Sequence, residues 1–114
     1  MLLSTFLDKL SVTPQAIEFT DTMAVIEANY QFIETEFVNG ELLNAAGQNS
    51  GSCRLFAFAQ LHNLDKSQTL ACFGAYYRDD VLKHPQGYDH LNIRQFMSNG
   101  WQGIKFSGEA LTEK

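Results

Sequence analysis

The stretch Ser52 to Leu61, SCRLFAFAQL, decides how the rest of this chain is organised. Seven of its ten residues are Leu, Phe, Cys or Ala, and the polar residues Arg54 and Gln60 lie on different sides of a helical wheel. A helix that is apolar nearly all round is normally buried. The stretch therefore predicts a central helix, and the preceding residues 44–51, NAAGQNSG, predict a loop before it with Ser50 or Ser52 as the N-cap.

Length and composition restrict the class of protein. A chain of 114 residues suits one domain, and 45% hydrophobic with 18% charged residues is a globular rather than a disordered balance. The net charge of -5, with no basic run, disfavours binding to nucleic acid or to an anionic membrane. No apolar run reaches the ~18 residues of a transmembrane helix, and the N-terminus lacks the features of a signal peptide. We expect one domain over residues 1–114, with a frayed polar tail from about Ser107.

Apolar residues at helical spacing predict four further helices around the central one. Thr20 and Asp89 are the predicted N-caps of the second and last helices, and Asp65 with Gln68 resembles a capping box. Asn99-Gly100 is a stop signal. The predicted helices cover about residues 2–10, from 14 or 21 to 30, from 65 to 83 and from 89 to 99.

Alternating apolar residues predict a small sheet. The segment from Phe32 to Asn44 alternates and contains Asn39-Gly40, a strong signal for a hairpin turn. Ile104 and Phe106 predict a short strand that would be the third of the sheet. The expected fold is α+β, with about five helices around a central buried helix and a small antiparallel hairpin or three-stranded sheet on one side.

Cys53 is a candidate nucleophile because it lies near a predicted helix start, which lowers the pKa of a thiol. With His90 and either Asp89 or Asn92 it would form a thiol, imidazole and carboxylate or amide arrangement. The alternative is that Cys53 is a small buried core residue.

The string YDHLNIRQF suggests a second kind of site. His90 and Arg94 are four residues apart on one helix face, where Arg94 could bind a carboxylate or phosphate and His90 could transfer a proton. The structural alternative is that Asp89 caps the helix and Arg94 pairs with an acidic residue.

Asparagines form a third group. Asn39, Asn44 and Asn49 would each offer an amide to a ligand or, alternatively, stabilise a turn. The three histidines and two cysteines have no metal-ligand spacing, so we expect no metal and no cofactor.

Several strings together resemble the HopJ type III effector family. They are TMAVIEANY, FVNGELLNAAGQNSGSCRLFAFAQL, TLACFGAYYRDDVL and HPQGYDHLNIRQFMSNGW, and the resemblance covers about residues 19–106. The chain departs from the family at Ile33-Glu34, Tyr88 and Leu91, and it keeps the DHxNIR motif. The resemblance implies delivery into a host cell by type III secretion, with a role in the bacterial cytoplasm as the alternative. It implies no enzymatic mechanism.

Together these patterns favour a small binding domain for a protein partner or a small anionic ligand. The expected pocket lies where the loop 44–52 meets residues 89–94. The alternative is a cysteine-dependent hydrolase or acyltransferase that uses Cys53 with His90, and the sequence leaves open whether the protein is an enzyme. The predicted binding residues are Asn49, Ser52, Tyr77, Asn92 and Arg94.

Overall fold

The predicted central helix lies in the core of the protein. The structure is a computed structural model that describes residues 1–114. Helix α3 extends over Ser50–Leu61, and its five consecutive residues from Leu55 to Ala59 are buried among the helices and sheets around it. The α+β fold with about five helices is confirmed.

Five α-helices, one π-helix and five short strands make up the chain. The α-helices are α1 (Leu3–Val12), α2 (Phe19–Asn29), α3 (Ser50–Leu61), α4 (Lys66–Ala71) and α5 (Leu91–Asn99). The strands are β1 (Tyr30–Phe32), β2 (Phe37–Asn39), β3 (Leu42–Asn44), β4 (Ile104–Phe106) and β5 (Leu111–Glu113). The π-helix is Tyr76–Val81, and short 3-10 turns lie at Pro14–Ala16 and Gly100–Gly103. None of the helices has the length and apolar content that a membrane span requires.

The predicted hairpin forms, and β4 adds the predicted third strand. Strand β2 pairs antiparallel with β3 on one side and with β4 on the other. Asn39 pairs with Leu42, so the two turn residues are Gly40 and Glu41, and only Gly40 has a positive φ, of 61°. The expectation that Asn39 occupies the turn is wrong by one residue, and its side chain is free to form buried hydrogen bonds instead.

A second sheet pairs β1 with β5, and no sequence pattern predicted it. Ala110 and Leu111 are 3% and 6% exposed, and the backbone N–H of Ile33 donates to the Ala110 carbonyl at 2.8 Å. The expectation of a frayed tail from Ser107 is therefore wrong. A strand of three residues is too short to show a reliable alternation, so only its pairing with β1 reveals it.

The predicted helix over residues 65–83 is wrong as one element, because the chain turns at Gly74. Gly74 has a φ of 63°, and a Cβ there would lie 2.6 Å from the backbone nitrogen of Phe19 and 3.0 Å from the Cα of Glu18. Only glycine permits this close backbone approach. Beyond it the hydrogen bonds change to π spacing, with Leu82 N–H donating to the Tyr77 carbonyl at 3.0 Å.

The predicted helix ends are partly correct. In α4, Gln68 N–H donates to the Asp65 carboxylate at 2.8 Å and Asp65 N–H donates to the Gln68 side chain at 3.1 Å, so the capping box is confirmed. Thr20 is not the N-cap of α2. Glu18 occupies that position, and its N–H donates to the Asp21 carboxylate at 3.0 Å.

Candidate functional site

A cavity of about 580 Å³ lies where the N-termini of α3 and α5 meet β3 and the start of the π-helix. We refer to it as the α3–α5 cavity. It lies between the two segments that the sequence indicated. The predicted site residues that line it are Asn49, Ser52, His90 and Asn92.

Helix α3 presents an uncapped N-terminus to this cavity. Its N-cap is Asn49, in the left-handed conformation with a φ of 51°, so the predicted caps Ser50 and Ser52 are wrong. The Asn49 side chain turns away from the helix and donates to Asn44 Oδ1 at 2.7 Å. The backbone N–H groups of Ser50, Gly51 and Ser52 donate to no group of the chain. Three donors at the positive end of the helix dipole are thus available.

Helix α5 begins in the same way. Its N-cap is His90, with a φ of 50°, and the predicted cap Asp89 is wrong. The His90 ring turns away from the helix, and its Nε2 lies 3.0 Å from the Asp80 carboxylate. The backbone N–H groups of Leu91 and Asn92 also donate to no group of the chain. Two uncapped helix starts therefore border one cavity.

A network of four asparagines connects these two helix starts. Asn39 donates to both the backbone carbonyl of Asn92, at 2.8 Å, and its Oδ1, at 3.0 Å. Asn44 and Asn92 exchange two amide hydrogen bonds, of 3.2 and 3.0 Å, and Asn44 also accepts the bond from Asn49. Asn39 and Asn44 are 0% and 2% exposed, and Asn39 Oδ1 has no partner. The network joins β2, β3, α5 and the loop before α3.

Two buried asparagines of the network each have an amide N–H with no acceptor within the chain. An asparagine amide carries two N–H groups, and the structure pairs only one on Asn44 and one on Asn92. Both side chains are more than nine-tenths buried, and both residues line the cavity. An N–H that has no acceptor within the chain can donate to a ligand that brings one.

Arg94 does not line the cavity; it holds the loop before α5. Its guanidinium donates to the backbone carbonyls of Asp89, at 2.7 Å, and His84, at 2.8 Å, and to the Asp89 carboxylate at 2.6 Å. The hydrogen bond from Arg94 lowers the pKa of Asp89. This is the structural role that the sequence left open, and it places Asp89 against Arg94 rather than in the cavity.

Comparison with known proteins places the chain in a family. The family model described as HopJ type III effector protein matches residues 3–111. The chain belongs to the HopJ type III effector family. It is similar over 100% of its length, and over 95% of the other chain, to the crystal structure of protein VPA0580, whose function is unknown, with 56% identity and a TM-score of 0.98. No curated protein matches it.

In this HopJ-family protein Tyr76, and not Tyr77, lines the cavity. The Tyr76 ring centroid lies 5.2 Å from that of Phe19 and 5.1 Å from that of His90, whereas Tyr77 packs against the core. A wheel with 3.6 residues per turn does not describe the direction of side chains across a glycine break and a π-helix, so the sequence selected the neighbouring residue.

Cys53 of the HopJ-family protein lies in the core and does not line the cavity. It is 2% exposed, its Sγ donates to the Thr35 carbonyl at 3.5 Å, and burial raises the pKa of the thiol. His90 is engaged by Asp80 and not by Cys53. The thiol and imidazole arrangement is absent, so the cysteine-dependent hydrolase or acyltransferase is not supported. The chain also brings no group of three His, Cys, Asp or Glu side chains together as metal ligands.

Proposed function

We propose that this HopJ-family protein is a small binding domain whose α3–α5 cavity takes an anionic ligand. The observation that carries the proposal is that two helices, of 12 and 9 residues, begin uncapped at one cavity. Helix N-termini bind carboxylate, phosphate and sulfate through their free N–H groups and their dipoles.

Five backbone N–H groups at the two helix starts have no acceptor in the chain, and four of them belong to residues that line the cavity: Gly51, Ser52, Leu91 and Asn92. Both N-cap side chains, which would ordinarily bond such groups, turn to other partners. Asn44 and Asn92, each with one amide N–H that has no acceptor in the chain, line the same cavity. These donors, and the lack of any Asp or Glu among the residues that line the cavity, favour a negatively charged ligand.

A protein partner is the second candidate, because the cavity mouth carries exposed apolar side chains. Leu43, Tyr88 and Leu91 are 64%, 92% and 53% exposed, and all three line the cavity. Exposed apolar residues that gather at one place favour a partner surface. In this case the partner would present a carboxylate to the two helix starts and cover the apolar rim.

Family membership supports delivery into a host cell by type III secretion, and a role in the bacterial cytoplasm is the alternative. A reporter fusion to the full chain in strains with and without a functional secretion system separates the two. Translocation only in the first strain supports delivery, and retention in both contradicts it.

The anion site is tested by Ser52→Asp, which places a carboxylate in the first turn of α3. That carboxylate occupies the free N–H groups and stabilises the helix by about 0.3–1 kcal/mol through the dipole. We expect unchanged or slightly higher stability together with loss of anion binding. Ser67→Asp makes the same change in the first turn of α4, outside the cavity, and should bind like the original chain.

Binding is measured by amide NMR during titration with acetate and with inorganic phosphate at constant ionic strength. The expected result is shifts that concentrate at residues 50–52 and 91–92 and that disappear in Ser52→Asp. Equal shifts in both variants, or shifts away from these residues, would contradict an anion site at the helix starts.

A further inference from the structure

An aromatic wall extends along one side of the α3–α5 cavity. The Phe73 and Phe19 rings are stacked with centroids 6.3 Å apart, Tyr76 meets Phe19 at 5.2 Å, and His90 meets Tyr76 at 5.1 Å. The wall begins in the core, where Phe73 is 2% exposed, and becomes more open at Tyr76, which is 44% exposed. It ends at His90, the residue from which α5 starts.

The other apolar side chains that line the cavity include two aliphatic ones that are exposed to solvent. Leu43 on β3 and Leu91 at the start of α5 are exposed, although large aliphatic side chains are normally buried. A single exposed leucine needs no explanation, but these two border the same cavity as the exposed rings of Tyr76 and Tyr88. The cavity therefore combines an apolar slot with a polar end formed by the helix starts and the asparagine amides.

The positive charge available at the cavity favours an anion with one negative charge over an anion with two. No Lys or Arg lines it, so we take the two helix N-termini as its source of positive potential. Each N-terminus is equivalent to about half a positive charge, and two together balance about one negative charge. A carboxylate carries one charge, whereas a phosphate monoester carries nearly two and would lack a cation.

We propose that the ligand of this cavity is an aromatic carboxylate. The planar ring packs against Tyr76 and Phe19, and the carboxylate accepts hydrogen bonds at the starts of α3 and α5. The cavity of about 580 Å³ is of the size that holds small organic ligands. This assignment rests on the proposed anion site and adds the body of the ligand to it.

Four probes separate the contributions: benzoate, benzamide, cyclohexanecarboxylate and acetate. Benzamide keeps the ring and removes the charge, and cyclohexanecarboxylate keeps the charge and the carbon number but removes the planar ring. We expect benzoate to bind about fivefold more tightly than cyclohexanecarboxylate, from ring contacts with the aromatic wall. Acetate and benzamide should bind more weakly than either. Affinities are read from amide NMR titrations of the full chain.

Substitutions at Tyr76 test whether the ring of the ligand packs against this side chain. Tyr76→Ala should remove the preference for benzoate over cyclohexanecarboxylate, and Tyr76→Phe should keep it. Leu61→Ala removes an exposed apolar side chain outside the cavity and should leave all four affinities unchanged.

The two proposals fail in different ways. Equal affinity for benzoate and cyclohexanecarboxylate overturns the aromatic ligand and leaves the anion site standing. Benzamide binding as tightly as benzoate overturns the anion site itself. A preference for benzoate that persists in Tyr76→Ala overturns the assignment of the ring to this wall.

Discussion

Asn92→Asp is the sharpest test of the asparagine network, because it replaces the side-chain NH2 group, a donor, with an oxygen acceptor and hardly changes the volume. Asn92 Nδ2 donates to Asn44 Oδ1 at 3.0 Å, and Asn92 Oδ1 accepts from Asn39 at 3.0 Å and from Asn44 at 3.2 Å. After the substitution two oxygens face each other where the donated bond was. Asn92 is 7% exposed, so little water reaches the two oxygens to relieve this contact.

The expected cost combines two effects. Losing a buried hydrogen bond and leaving its acceptor unsatisfied costs about 1–3 kcal/mol. Burying a carboxylate costs several kcal/mol more, and the two remaining amide donors offset much of this. We expect Asn92→Asp to lower the free energy of unfolding by about 3 kcal/mol near pH 7.

The pH dependence supplies an independent check. Burial raises the pKa of the new carboxyl above about 3.9, the value in the unfolded chain. The penalty is then fully present above the folded-state pKa and disappears as the pH falls towards the unfolded value. A protonated carboxyl also regains a donor towards Asn44. The difference from the original chain should therefore shrink to within about 1 kcal/mol near pH 4.

Urea denaturation of both chains near pH 7 and near pH 4 measures these differences. Asn99→Asp, at the exposed end of the same helix, is the control and should cost less than about 1 kcal/mol at either pH. The network would be refuted as a stabilising element if Asn92→Asp behaved like this control near pH 7, or if its penalty did not fall with pH.

Three further predictions concern the turn, the thiols and a histidine. Gly74→Ala should lower stability by about 3 kcal/mol in thermal unfolding, because residue 74 has a φ of 63° and the new Cβ would approach the backbone at the start of α2. Gly108→Ala is the control and should be nearly neutral, because the nearest atom to a Cβ at that position is 3.9 Å away. Burial raises the pKa of Cys53 and, to about 12, that of Cys72, so iodoacetamide should modify both only after unfolding, and rapid modification in the native state would contradict their burial. Burial lowers the pKa of His62, so the unfolded chain binds the proton more readily than the folded chain does. Stability should therefore fall as the pH drops through about 6.5. In His62→Gln the urea midpoint should depend less on pH.

Local patterns predicted the parts of the fold that depend on neighbours in the chain. The continuous apolar run placed α3 in the core, and the spacing of Asp65 and Gln68 located the start of α4. The hairpin and β4 also followed from short-range signals, although the turn lies at Gly40-Glu41. These signals are reliable because the interactions that cause them join residues only a few positions apart.

The sequence predicted the position of the candidate site but not the direction of all its side chains. Two polar segments indicated where the cavity would lie, and Asn49, Ser52, His90 and Asn92 line it. The predictions for individual side chains failed where a distant partner decides the direction. Arg94 turns to the loop carbonyls before its helix, so its fork is occupied by the chain itself.

By itself the sequence determined the central helix, the mixed α+β class, the small three-stranded sheet and membership of the HopJ family. Only the tertiary structure decided the path at Gly74, the pairing of β5 with β1, and the two uncapped helix starts at one cavity. The physical reason is the same in each case. Backbone approach, strand pairing and the choice between capping a helix and joining a buried asparagine network depend on groups that are far apart in the chain.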